Sequence, residues 1–259
     1  MTEAVTYTEE GNRAIIYIQR PSARNALNWQ AQEQFATAVA QAAQSAHIRV
    51  VIVTADGRDA FAAGGDLKEL VNHPEPEAGT RLQATMGRAL RQLTSLPIPV
   101  IAAVNGNAFG GGCEIMTACD LRLAVPQAQF GFIQVKVALT TGWGGTARLV
   151  RLLGQSRAME LLLTGRLFDA QEALQIGFLH RLALPGQTAL EAAHQWADEL
   201  VRLPRQALAA AKALVQAGDR PLDEQYQLEQ QLFVDLWPQT DHIEAMAAFV
   251  AKRPPRFEP

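Results

Sequence analysis

Only two cysteines, Cys113 and Cys119, occur in 259 residues, too few for a disulfide framework. Both fall on one expected helix, so they read as small apolar core residues in a reducing compartment. Histidine is sparse as well. His47, His73, His180, His194 and His242 show no ligand spacing, and no metal site is expected. No apolar run approaches the roughly 18 residues that cross a bilayer. The opening stretch MTEAVTYTEE has acids but no apolar centre, so no secretory signal is expected and the chain is expected to be cytoplasmic. A charged fraction of 19% and a formal net charge of −3 give no reason to invoke nucleic acid or a membrane surface. Two motifs are missing outright. Without G-x-x-x-x-G-K-[ST] there is no support for nucleotide triphosphate chemistry, and without G-x-S-x-G none for a serine hydrolase.

What the chain does have is apolar content, 48%, enough for a sizeable core. Its length suits one large domain or a core with an appendage, here a core over 1–188 and a helical region over 189–259. Residues 5–8 and 14–18 flank Glu10-Gly11-Asn12 as an opening hairpin. Asn28 is a good N-cap for a helix over 29–45. The β-branched run 50–53 and the run 100–104 read as strands buried on both faces. A helix over 78–96 separates them, ended by Pro97 and Pro99. A short helix over 112–118 and strands over 121–124 and 130–133 follow. Strand, glycine loop and helix thus occur twice, about fifty residues apart, which suggests a repeated β-β-α unit in an α/β fold. Helices are expected over 144–153, 156–164, from the Asp169 cap to Gly177, and over 190–203, 205–218, 222–236 and 242–252.

Two glycine clusters carry the chemistry. They are Phe61-Ala62-Ala63-Gly64-Gly65-Asp66 and Asn105-Gly106-Asn107-Ala108-Phe109-Gly110-Gly111-Gly112-Cys113-Glu114. Glycine removes the Cβ that holds a ligand off the main chain, and backbone N–H groups at a helix start remain free to donate. Two such groups on one oxygen make an oxyanion hole. Glu114, the first ionisable residue after the second cluster, would bring a carboxylate to the same pocket; the bland alternative is a helix-start acid favoured by the macrodipole. Asp66 reads first as a cap.

With both clusters in hand, the chain resembles the crotonase family, also called the enoyl-CoA hydratase/isomerase family, over nearly its whole length. The landmarks include Arg24-Asn25-Ala26-Leu27-Asn28, the two clusters, Ala118-Cys119-Asp120-Leu121-Arg122 and Gly144-Gly145-Thr146-Ala147-Arg148-Leu149. The resemblance implies a spiral of β-β-α turns and a helical C-terminal region that packs homotrimers, often paired into homohexamers. It implies an acyl-CoA thioester as substrate, with no cofactor beyond the CoA of the substrate itself. The thioester oxygen would lie between the N–H groups of Gly65 and Gly111, with Glu114 moving protons. The CoA arm would run along Arg24, Ala26 and Ala63, beside Asp66. Lys68 and Lys252 are possible phosphate partners or simply solvated charges, and Phe249 is a groove or packing residue.

Two departures from the family pattern bear on the reaction. Hydratases of the family have a second glutamate, at the position occupied here by Gln134, which cannot ionise and so cannot serve as general acid or base. The loop before Gly144 carries Trp143 where the family usually has a small residue. That bulk suits a short or branched acyl group, unless Trp143 merely packs beneath its loop. The ethylmalonyl-CoA decarboxylase branch of the family is similar in both respects. Hydratase or isomerase chemistry and decarboxylation of a malonyl-type thioester therefore both stand. A catalytically weak CoA-binding homologue is the third reading, against which Glu114 and the glycines are retained.

Overall fold

The computed structural model of the protein describes residues 3–257. Met1 and Thr2 of the acidic opening stretch lie outside them, as do the last two residues.

The chain opens with β1 (Val5–Glu10) and β2 (Arg13–Ile18), paired antiparallel so that Glu10 faces Arg13 across Gly11 and Asn12. Gly11 takes φ +62°, a conformation glycine adopts without a Cβ penalty. Next comes α1 (Trp29–Gln44), capped as expected by Asn28, whose side chain accepts from the Ala31 N–H. β3 (Val50–Ala55) follows, buried along its whole length. It lies parallel to β2, with Ile15 opposite Ile52.

Beyond β3 the chain winds as a spiral. β4 (Ala60–Ala62), α2 (Leu67–Leu70) and α3 (Pro76–Ser95) complete one turn. β5 (Val100–Val104), β6 (Asn107–Phe109) and α4 (Gly111–Ala118) make the next, followed by β7 (Leu121–Ala124) and β8 (Gln129–Gly131). In each turn the first strand joins one sheet and the second another. The six-stranded sheet runs β1-β2-β3-β5-β7-β10, where β10 is Arg181–Leu182. The four-stranded sheet runs β4-β6-β8-β9, where β9 is Phe168–Asp169. The expected β-β-α repeat is therefore present, but β4 and β6 sit inside the stretches read from sequence as glycine loops. The strand expected over 130–133 ends at Gly131 and gives way to a 3-10 turn, Ile133–Val137.

α5 (Gly145–Thr164) contains a break at Gly154, where φ 76° and ψ 161° are not helical; it is the pair of helices expected over 144–153 and 156–164. After α6 (Ala170–Gln175) come α7 (Ala189–Leu200), α8 (Arg205–Gln216), α9 (Leu222–Leu236) and α10 (Thr240–Val250). α7 buries Ala193, Trp196 and Ala197 and packs across β3, β5 and β7. α9 and α10 instead leave large apolar side chains in solvent: Phe233 on α9 with Trp237 at its C-cap, Phe249 and Val250 on α10. Cys113 and Cys119 are free and buried, and burial pushes both thiols up to about 12. Among the described residues no helix is long and apolar enough to cross a membrane, and no group of three or more His, Cys, Asp or Glu is placed to hold a metal ion.

Candidate active site

The site begins with a tight turn after β2. Arg24 and Asn25 both take left-handed backbone conformations, φ 52° and 54°. Asn25 is buried there, and its Nδ2 donates to Asp56 O at 2.8 Å and Ala60 O at 2.7 Å. These bonds offset the cost of a positive φ, which Asn tolerates better than most residues. The turn delivers Leu27 alongside the first glycine cluster: the Leu27 N–H donates to Gly64 O (2.8 Å) and the Asp66 N–H to Leu27 O (3.1 Å). That pairing uses the groups on either side of Gly65 and leaves its N–H turned away. Asp66 caps α2 by accepting from the Lys68 N–H and takes an ion pair from Arg20 at 2.9 Å.

The second cluster lies directly against the first. Gly64 takes φ +91°, and a Cβ built on it would sit 2.9 Å from Gly111 N. Gly112 is closer still to β4, since its Cβ would lie 2.1 Å from Ala62 O. Only glycine allows this approach. Gly110 reverses the chain at φ 54°, ψ −115°, and α4 starts at Gly111, so the Gly111 N–H belongs to a first turn that has no intrahelical acceptor. Among the described residues neither the Gly65 nor the Gly111 N–H has a protein acceptor.

Glu114 completes the first turn of α4 and is buried, 2% exposed. Its carboxylate takes four N–H donors, three from the main chain some thirty residues on and one from the Gln134 side chain. Oε2 accepts from Trp143 N and Gly145 N, both at 2.8 Å. Oε1 accepts from Gln134 Nε2 at 3.0 Å and Gly142 N at 3.3 Å. Burial pushes the Glu114 carboxyl above its ordinary range; the three backbone N–H donors and the charge of Arg148 pull it back only in part. The outcome is a carboxyl shifted upward and held in one orientation. Gln134 turns one end of its amide to Glu114, while its Oε1 is buried without a partner.

Arg148 ties this loop to α4. Its Nη2 donates to Trp143 O at 2.9 Å and Glu114 O at 3.2 Å, and its Nε to Thr117 Oγ1 at 3.1 Å. The indole of Trp143 lies flat against Gly111, so close that a Cβ on Gly111 would meet ring atoms at 2.2 to 2.8 Å. On the other side, a Cβ on Gly65 would point at the Leu70 and Leu82 methyls, 3.0 and 4.0 Å away.

A model of the enoyl-CoA hydratase/isomerase family matches residues 8–259. This chain belongs to that family. It is similar to the short-chain-enoyl-CoA hydratase of Clostridium acetobutylicum, 34% identical over 250 residues that cover 96% of this chain and 95% of that one. It is also similar to the human mitochondrial methylglutaconyl-CoA hydratase, 33% identical over 98% of this chain and 76% of the human protein. Its fold matches the crystal structure of an enoyl-CoA hydratase from Bacillus anthracis with a TM-score of 0.92, at 32% identity and 98% coverage of both chains. The two-sheet spiral is thus the crotonase fold.

In this crotonase-family chain, Gly65, Gly111, Glu114, Gln134 and Trp143 come together as one cluster. Arg24 and Ala63 line a neighbouring groove of about 430 Å³. Ala26 is buried beside it in the same turn, and Lys68 is exposed on α2. Phe249 and Lys252 are not among the groove's lining residues; Phe249 is 85% exposed on α10. Sequence reasoning missed Arg58, Asp59 and Gln127, which also line the groove, and Arg148. The first two lie just before β4, whose existence the sequence did not signal. Arg148 stood within the Gly144–Leu149 landmark, but nothing in its spacing pointed at Glu114.

Proposed function

We propose that this acyl-CoA enzyme holds its thioester carbonyl between the N–H groups of Gly65 and Gly111 and stabilises the enolate formed there. Glu114 carries the proton. The observation that carries this reading is the free Gly111 N–H beside Gly64, one turn of helix before a buried carboxylate. The thioester oxygen gains charge as the enolate forms, so fixed donors favour that state over the ground state. Loss of one such donor typically costs about 3 kcal/mol of transition-state stabilisation.

Hydration or isomerisation then needs only that Glu114 take a proton from water or from one carbon and return it to another. The buried, unpartnered Gln134 Oε1 supports a water held next to Glu114, since a carbonyl oxygen can orient a water without ionising. The anionic CoA arm would run along the groove, where Arg24 and Arg58 supply positive charge. A second reading, decarboxylation of ethylmalonyl-CoA or methylmalonyl-CoA, is favoured by the neutral side chain at position 134. A second carboxylate there would repel the substrate's own.

The exposed apolar side chains on α9 and α10 support assembly with further copies, a homotrimer or homohexamer, in which Phe249 and Lys252 could reach a neighbour's groove. The test is a panel of crotonyl-CoA, a 3-enoyl-CoA and the two malonyl-type thioesters, each with wild type and Glu114→Gln. Turnover of at least one, lost in the variant, is the expected result. No turnover of any of them, or turnover unaffected by the substitution, would overturn the reading.

A further inference from the structure

The indole of Trp143 packs against Gly111, one of the two proposed oxyanion donors, and its main chain is anchored on both sides. On the reading just given, the carbonyl carbon sits at Gly65 and Gly111, and the next carbons face Glu114 and Gln134. The side chains nearest these two donors are Trp143 on the Gly111 side and Leu70 and Leu82 on the Gly65 side. Trp143 is 3% exposed. Its N–H is bound to Glu114 Oε2 and its carbonyl to Arg148 Nη2, at 2.8 and 2.9 Å. Of the flanking residues, Gly142 donates its N–H to Glu114 Oε1 at 3.3 Å and Gly144 is the N-cap of α5. For the ring to turn about its own side-chain bonds, the groups packed around it, Gly111 among them, would have to give way. The indole is therefore a fixed wall.

We propose that Trp143 limits the enzyme to short acyl groups of about four carbons, and that it is the specificity-determining residue for chain length. The inference rests on the proposed acyl-CoA reading, and the test separates the two. Titration calorimetry with two saturated, unreactive thioesters, butyryl-CoA and octanoyl-CoA, gives a ratio of dissociation constants that a general loss of affinity does not change. In the wild type, octanoyl-CoA should bind at least tenfold more weakly than butyryl-CoA. Trp143→Ala should reverse that order. Each methylene that gains apolar room adds about fourfold in affinity, or about 0.8 kcal/mol, so the four extra methylenes of octanoyl-CoA should move the ratio by roughly two powers of ten. Trp143→Leu, which keeps an apolar filler in the loop, should fall between them and serves if the alanine variant does not fold. Equal binding of both thioesters by wild type, or an unchanged ratio in both variants, would overturn the assignment of Trp143 while leaving the acyl-CoA reading intact. If neither thioester binds the wild type, that reading falls and takes the inference with it.

Discussion

Replacing Glu114 by glutamine and by alanine should give two proteins equally poor in catalysis and unequal in stability. The carboxylate accepts four N–H donors, two at 2.8 Å on Oε2 and two on Oε1. A glutamine can keep its carbonyl oxygen in the Oε2 position and retain the bonds from Trp143 and Gly145. Its amide nitrogen then replaces Oε1 and faces two donors. One of these can adapt: Gln134 has an unpartnered buried Oε1, so turning its amide over restores a bond. Only the Gly142 N–H, at 3.3 Å already the longest, loses its acceptor. One orphaned donor costs about 1 to 3 kcal/mol, offset in part because no charge is buried. Alanine strands all three backbone donors and the Gln134 amide, at least about 3 kcal/mol. For a chain of this size about 1 kcal/mol corresponds to roughly 2 to 4 °C in Tm. Thermal unfolding at equal protein concentration should place Glu114→Gln within about 4 °C of wild type and Glu114→Ala lower by about 6 °C or more. Turnover should fall in both by about 10²- to 10⁴-fold, the usual worth of a general acid or base. If the glutamine variant unfolds as early as the alanine variant, the four-donor clamp is wrong.

Other consequences follow from the same geometry. The Glu114 carboxyl is raised in the fold, so its contribution to stability is complete below the ordinary carboxyl range and is lost as pH rises through the raised value. Urea unfolding across pH should therefore show wild type losing ground to Glu114→Gln as pH climbs from about 4.5; a difference that grows in favour of wild type would refute the shift. By the same reasoning, the acid limb of kcat/KM should lie above the ordinary carboxyl range and vanish in the variant. Gly112→Ala drives a Cβ to 2.1 Å from Ala62 O, main chain against helix, and should cost about 1 to 3 kcal/mol in urea unfolding together with most of the activity. Gly142→Ala, with nothing within 4 Å, should stay within about 0.5 kcal/mol of wild type; equal losses at the two positions would contradict the close packing of α4 on β4.

The parts of the fold legible in the sequence were those with a local signal. The β-branched run of β3, the proline boundary before β5 and the Asn28 cap each mark themselves within a few residues. β4 and β6 did not, because three residues carry no readable period and their glycine-rich surroundings look like loop. Gly65, Gly111 and Glu114 stood out by motif and by resemblance. The clamp on Glu114 did not, since its donors come from residues 134 to 145, brought back by β8 and the 3-10 turn. Asn25 looked like one letter of a motif, whereas its buried side chain shapes the turn that sets Leu27 against Gly65. Arg148 was hidden in the same way, acting through a carbonyl five residues earlier in its own chain and another on α4.

The most direct test of the central claim is proton exchange at the α-carbon of butyryl-CoA in D₂O, followed by NMR. This compound has no double bond to hydrate and no carboxylate to lose, so exchange reports only enolate formation and proton transfer. The structure predicts exchange with wild type and none above background with Glu114→Gln. Absence of exchange in the wild type while butyryl-CoA is bound, or equal exchange in both proteins, would contradict it.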